Sequence, residues 1–229
     1  MITQQEAIEA AMSYGVDSFL KVPKCTYTRT DARVKYYTAI ADVYEKTREQ
    51  PTPGLDPQVT AAYAQLEEEL LDQYDLIPIP VQKVTNDPYS TSKEMIETIE
   101  IQERLMILAT GPNDHHDWHP MAQETYIRDY AGYHMKLNDV FRAVHDFFGH
   151  YATGASFSAA GEELAWLTHR SMMKTEGAIR AMTTETRGQN CWFNYGPHGE
   201  HNRTKGTEKV YAEQKFNLLP EWCSEPWLW

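Results

Sequence analysis

Apolar residues recur at intervals of three and four through most of the first hundred positions, the signature of amphipathic helices. Ile8, Ala11 and Met12 mark a helix over 3–14, with Thr3 and Glu6 at the spacing of a capping box and Gly15 as its stop. Val34, Tyr37, Ile40, Ala41 and Tyr44 predict a second helix from Asp31 to about residue 49, ended by Pro51-Thr52-Pro53-Gly54. A third, over 57–74, turns Tyr63, Leu66, Leu70 and Leu71 inward and Glu67, Glu68 and Glu69 mostly toward solvent. Residues 77–84 read as an edge strand, because Pro78 and Pro80 cannot donate to a central ladder. A helix over 91–102 and a strand over 105–108 follow.

The second half has a different texture. Residues 111–120 form a polar loop bounded by Pro112 and Pro120, with Asn113, Asp114, His115, His116, Asp117 and His119 inside it. Its histidines read as surface or lid residues before they read as metal ligands. Residues 121–137 carry no clear period. Asn138 is a good N-cap for a helix through His150, with Asp139 in the first turn and Val140, Phe141, Val144, Phe147 and Phe148 on its buried face. A long helix is expected from Ala159 toward Arg187, loop over 191–206, a short helix over 208–217, and a docked aromatic tail over 222–229. The pattern describes one mostly α (α+β) domain with a small sheet. Residues 1–110 are its scaffold and 111–229 the half that carries chemistry.

Composition narrows the function classes. Hydrophobic residues are 41%, charged residues 24%, and Trp and Tyr number 6 and 14, which fits a packed core. The formal net charge of −12 argues against nucleic acid, since phosphate repels an acidic chain that lacks a basic patch. Cys25, Cys191 and Cys223 are odd in number and widely spaced, which points to a reducing, cytoplasmic setting rather than a disulfide framework. Neither a signal peptide nor an apolar run of membrane-spanning length is present, so the expected partner is a small molecule, with self-association left open.

The candidate chemistry centres on His145 and His150, five positions apart in the apolar run Val144-His145-Asp146-Phe147-Phe148-Gly149-His150. Glu185, which lies 35 residues beyond His150 in the polar run Thr183–Asn190, offers a carboxylate. Two imidazoles and one carboxylate suit Fe(II) and leave positions open for O₂, water or substrate. The spacing is awkward, because positions i and i+5 on an ideal helix diverge by about 140°. A fraying end at Gly149 is one way to let both rings converge. Asp146 is a candidate to hold an imidazole from behind. Glu162 and Glu163 diverge by about 100° on a helix, so one of them at most faces the site. His169 shares the Glu162 face, and the two could work as an acid/base pair. Arg187 is a candidate clamp for a substrate anion, and Asn190, Asn194, Tyr195 and His198 are candidate substrate contacts.

These residues resemble the catalytic domain of the pterin-dependent aromatic amino acid hydroxylases, which binds Fe(II) through H-E-x-x-G-H and a later glutamate. His145, Gly149 and His150 match that motif, Asp146 stands where it has glutamate, and Thr183-Thr184-Glu185 is similar to the later ligand's setting. The resemblance covers residues 138–222. The longer pattern also looks like small proteins of bacteriophages and bacteria. The hydroxylase resemblance implies a mononuclear non-haem iron monooxygenase with His145, His150 and Glu185 as ligands, O₂ as oxidant and tetrahydropterin as reductant. Two alternatives stand beside it. One is a Zn or Mn hydrolase at the same site, with Glu162, Glu163 or His169 as general base. The other is a partner-binding protein without catalysis.

Overall fold

The computed structural model describes residues 2–14, 30–112 and 114–226. The expected stop at Gly15, the loop residue Asn113, Cys25 and the last three residues of the tail lie outside them. The chain is mostly helical with short strands, and it divides into two compact units. One comprises residues 1–23 and 67–174, the other 24–66 and 175–229. The first 110 residues therefore contribute to both.

In the first unit, helix α1 (Gln4–Ser13) opens with the expected box: Thr3 Oγ1 accepts from Glu6 N–H at 3.3 Å, and Glu6 Oε2 accepts from Thr3 N–H at 2.7 Å. The last turns of α3 (Pro57–Tyr74) belong here too. Strands β1 (Val81–Val84) and β2 (Leu105–Leu108) pair in parallel, Val81 opposite Leu105, with α4 (Ser92–Gln102) as the crossover that parallel strands require. Opposite β2, the edge of β1 is covered by the Tyr130 N–H on Val81 O (2.7 Å) and by the Asp129 carboxylate on Lys83 N–H (3.2 Å). The stretch without a clear period, 121–137, is an antiparallel hairpin of β3 (Glu124–Arg128) and β4 (His134–Lys136). The one expected sheet is thus two two-stranded sheets.

Helix α5 (Leu137–Val144) starts one residue before the predicted cap. Asp139 reaches back to Lys136 N–H (2.9 Å) and also accepts from Thr110 N–H (2.7 Å), so it ties the helix to the end of β2. The chain then continues as a π-helical segment, His145–Tyr151, and returns through α6 (Ala159–Met172). Val144, Phe147, Phe148 and Trp166 are fully buried and fill the core between them.

In the second unit, α2 (Asp31–Lys46) is capped by Thr30, and its Tyr37, Ile40, Ala41 and Tyr44 form one core with Cys191, Trp192, Leu219 and Cys223. The long helix expected over 159–187 is broken. Met173 is extended, and Thr175 caps a new helix, α7 (Glu176–Thr183), by accepting from Ala178 N–H (3.2 Å). A second π-helical segment, Thr184–Gly188, leads into α8 (Gln189–Tyr195), and α9 (Gly199–Arg203) follows, where loop was expected. Residues 208–217 are not helical. Asn202 holds Val210 through both backbone groups (2.9 and 2.8 Å), and Lys215 is spent on the carbonyls of Tyr44, Glu45 and Thr47. Of the aromatic tail, Trp222 sets its ring edge-on to Tyr36, with centroids 5.8 Å apart.

Candidate metal centre

The π-helical segment resolves the spacing of the histidine pair. Its backbone bonds run from i to i+5, as Ala152 N–H to Phe147 O does at 2.9 Å, so residues five apart stack on one face. His145 and His150 are such a pair, with ring centroids 5.0 Å apart. The expected device, a frayed end at Gly149, is not the one used. Gly149 is fully helical, and its missing side chain admits α6. A Cβ built there would lie 3.0 Å from Ala165 Cβ and 3.3 Å from Ala165 Cα.

Ala165 sits between Glu162 and His169 at helical spacings of three and four, so all three share one stripe of α6. The close approach at Gly149 brings that stripe onto the histidines. Glu162 Oε1 lies 3.4 Å from His150 Nε2, and Oε2 lies 3.5 Å from His145 Nε2. Among the described residues these three form the group whose ligand atoms converge. Gly149→Val forces branched carbons into Ala165, at a cost of about 1–3 kcal/mol. It is expected to lower the melting temperature and to weaken metal affinity together, read by thermal melts with and without Zn(II).

The tautomer of His150 is fixed. Its Nδ1–H donates to Ala155 O (3.1 Å), because a carbonyl only accepts. Gly154 makes the turn that presents Ala155, at φ +72° with its N–H on His150 O (2.9 Å). A neutral His150 therefore aims a lone pair at a carboxylate. Two acceptors facing at 3.4 Å need a proton or a cation between them. The electrostatics say the same. Burial pushes Glu162 up, yet the two imidazoles outweigh it and hold the carboxyl down at about 2. Burial pushes His150 down, yet Glu162 outweighs that and raises it. Each imidazole nitrogen lies 3.4–3.5 Å from a Glu162 oxygen, the separation of two ligand atoms each about 2.0–2.2 Å from one ion, and all three ligand atoms lie within 4.8 Å of one another.

The surroundings are apolar and asymmetric. Phe157 packs edge-on to His150 at 4.9 Å, and Phe141 lies parallel to His145 at 6.3 Å. His150 is 2% exposed and His145 11%, while Glu162 is 29% exposed, so solvent reaches the cluster from the Glu162 side. Burial pushes Asp146 up, with the two imidazoles opposing. Glu163 is buried, at 3% exposure, and is not in the converging group, in line with the divergence of adjacent helix positions. His169 is fully buried, its ring 5.8 Å from that of His145 and its Nε2 on Gln73 Oε1 (3.2 Å), and burial holds it well below the ordinary imidazole range. Neither the Gln73 bond nor the Ala155 carbonyl stands out in the sequence: one is a polar residue among several in an amphipathic helix, the other is backbone.

Glu185, the expected third ligand, is a residue of the second unit and is not in the converging group. It accepts from Tyr63 Oη–H at Oε1 and from Gln189 Nε2–H at Oε2 (3.2 Å), and burial pushes its carboxyl up to about 7. Glu162, expected as an acid/base residue, is the carboxylate beside the histidines. The expected substrate contacts also belong to the second unit. Arg187 is fully buried and donates to Cys223 O and Glu225 O, both at 2.7 Å, so it anchors residues 223–225. Asn194 bonds back to Asn190 (2.7 Å), Tyr195 stacks near Tyr37 (5.4 Å), and His198 lies against Trp192 (5.7 Å). In the 111–120 loop, His115 and His119 are buried with rings 4.5 Å apart, and burial lowers them to about 4 and about 3.

No described helix is long and apolar enough to cross a membrane. The chain matches no family model, no curated protein and no solved structure.

Proposed function

We propose that the chain is a mononuclear non-haem iron enzyme of the oxygenase class, with His145, His150 and Glu162 as ligands, acting as a hydroxylase on a small molecule. The observation that carries it is the convergence of two buried imidazoles and a carboxylate, with the His150 proton held on Nδ1 so that its Nε2 faces Glu162. Two imidazoles and one carboxylate are the donor set that favours Fe(II) and leaves positions open. When bound, Fe(II) supplies redox chemistry with O₂, the electrons coming from a reduced cosubstrate, for which the resemblance implies a tetrahydropterin.

The chain's own groups do the rest. Ala155 O holds the His150 ring and keeps its proton on Nδ1. Phe141 covers a face of the His145 ring, and the partly exposed Phe157 packs against His150. The more exposed Glu162 side is where a substrate enters. The hydrolase reading is weaker for a specific reason: its general base is already committed. Glu162 is a ligand, Glu163 is in the core, and His169 is neutral and bonded to Gln73.

The test is metal content after anaerobic purification, followed by O₂ uptake with reduced pterins. Near one iron per chain, with O₂ uptake that a chelator stops, is the expected result. Zinc with O₂-independent hydrolysis would hand the site to the alternative. Protein that takes up neither metal overturns the reading.

A further inference from the structure

His145 and His169 each keep a buried ring nitrogen, Nδ1, that makes no hydrogen bond. Buried polar atoms are rarely left so, and two in neighbouring rings point to a shared cause. Their chemistry can be assigned from their other nitrogens. Gln73 sends its Nε2 toward Met172 O (3.4 Å) and Met173 Sδ (3.7 Å), so that end is the NH₂ and Oε1 is the atom facing His169. His169 Nε2, at 3.2 Å from that oxygen, must carry the proton, and a neutral His169 has a bare, accepting Nδ1. His145 is the reverse case. As a ligand through Nε2 it must carry its proton on Nδ1, a donor. The pair is one donor and one acceptor.

The geometry points to a hydrogen bond from His145 Nδ1–H to His169 Nδ1, which makes His169 the positioning residue of a metal ligand. The inference rests on the reading of His145 as that ligand. A linear N–H···N bond between two imidazoles puts their centroids a little over about 5 Å apart. The observed 5.8 Å is about half an ångström longer than that, so the two rings have to close or turn for the bond to form. Phe141 flanks both rings, at 6.3 Å from His145 and 5.6 Å from His169, and shields the contact from water. His150 already has its outer partner in Ala155 O. His169 completes the same arrangement for His145 and extends it as a chain, Met172 O to Gln73 to His169 to His145. Metal-bound histidines ordinarily hold such a partner, which fixes tautomer and ring orientation.

The experiment uses the full chain, ¹⁵N-labelled, with Zn(II) alone as the probe. Nitrogen shifts are expected to give His169 as the Nε2–H tautomer with and without zinc. His169→Leu is expected to lower zinc affinity by roughly 10–100-fold and to speed solvent exchange of the His145 Nδ1 proton, leaving that of His150 slow. His169→Gln, whose carbonyl can still accept, is expected to recover most of the affinity, which separates positioning from simple packing loss. A His169 protonated on Nδ1 overturns the inference, because two donors would then face each other. So does a His169→Leu protein with wild-type affinity and exchange. If the wild-type chain takes up no zinc, the metal reading falls and this one with it, whereas the other two outcomes leave the metal reading standing.

Discussion

Glu162→Gln is expected to abolish tight metal binding while leaving the fold intact. The substitution keeps the shape of the side chain but replaces a charged acceptor with an amide. Its NH₂ can donate to the lone pair that His150 Nε2 now presents to Glu162 Oε1 at 3.4 Å. The amide keeps a hydrogen bond to His150 but gives up the attraction that holds the Glu162 carboxyl down at about 2, so the metal-free variant should stay folded and melt somewhat below the metal-free wild type at neutral pH. The cation loses a charged ligand, a heavier loss than that of a supporting residue, so affinity should fall by more than about 100-fold. Ligand-linked stabilisation goes with it: a metal at 100 times its Kd adds about 2.7 kcal/mol to a folded protein, and Glu162→Gln should show none of that gain. His150→Ala should lose the metal too, but it leaves the Ala155 carbonyl unpartnered and a hole beside Phe157, so it should also melt lower. Melting curves with and without Zn(II), with elemental analysis, read both. A Glu162→Gln protein that holds metal as well as wild type would remove Glu162 from the site.

The second large effect belongs to Glu185. Burial raises its carboxyl from the ordinary 4.5 to about 7 in the folded chain. Between those values the folded state holds a proton that the unfolded state has lost. Stability therefore falls as pH rises from about 4.5 and levels off above about 7, the opposite of an ion-paired carboxylate. The interval corresponds to about 3 kcal/mol. Glu185→Gln removes the titration. Its carbonyl keeps the Tyr63 bond, and the Gln189 and Gln214 amides can turn over to face the new NH₂. The variant should be close to wild type in stability at pH 4.5 and more stable by about that amount at pH 8, measured by denaturant unfolding. It should keep its metal. Equal stability differences at both pH values would mean that the carboxyl ionises freely, and loss of metal would return Glu185 to the ligand set.

Much of the scaffold could be read from periodicity. Thr3 with Glu6, the apolar series through Tyr44 and the strand at 105–108 each obey a single local rule. The failures came where tertiary contacts decide. A run of good helix formers through 173–175 breaks because Thr175 caps a new helix. Residues 208–217 look helical in isolation but are drawn out by Asn202 and by Lys215. At the site, the two histidines stood out in the sequence because imidazoles are rare in an apolar run. The carboxylate did not, because several glutamates follow and only the packing of α6 against Gly149 selects Glu162. Divergence of adjacent helix positions does separate Glu162 from Glu163, and that part was available beforehand. Local polarity draws attention to Glu185 and Arg187, yet in the fold these side chains make internal bonds to Tyr63 and to Cys223.

The π-helical turn at 145–151 also has a mechanical meaning. A helix that reverted there to α register would swing the two imidazoles far apart, and one ion could no longer hold both. Whatever bridges the pair therefore also latches the wider turn, with a strength equal to the difference in its affinity for the two registers. An ion bound there would make the turn and the site switch together. Because Tyr151 O accepts from Gln4 (2.8 Å) and Tyr151 Oη donates to Ile2 O (3.0 Å), the latch extends to the seating of the N-terminal helix. Occupancy of the centre can in this way be felt at the first residues of the chain.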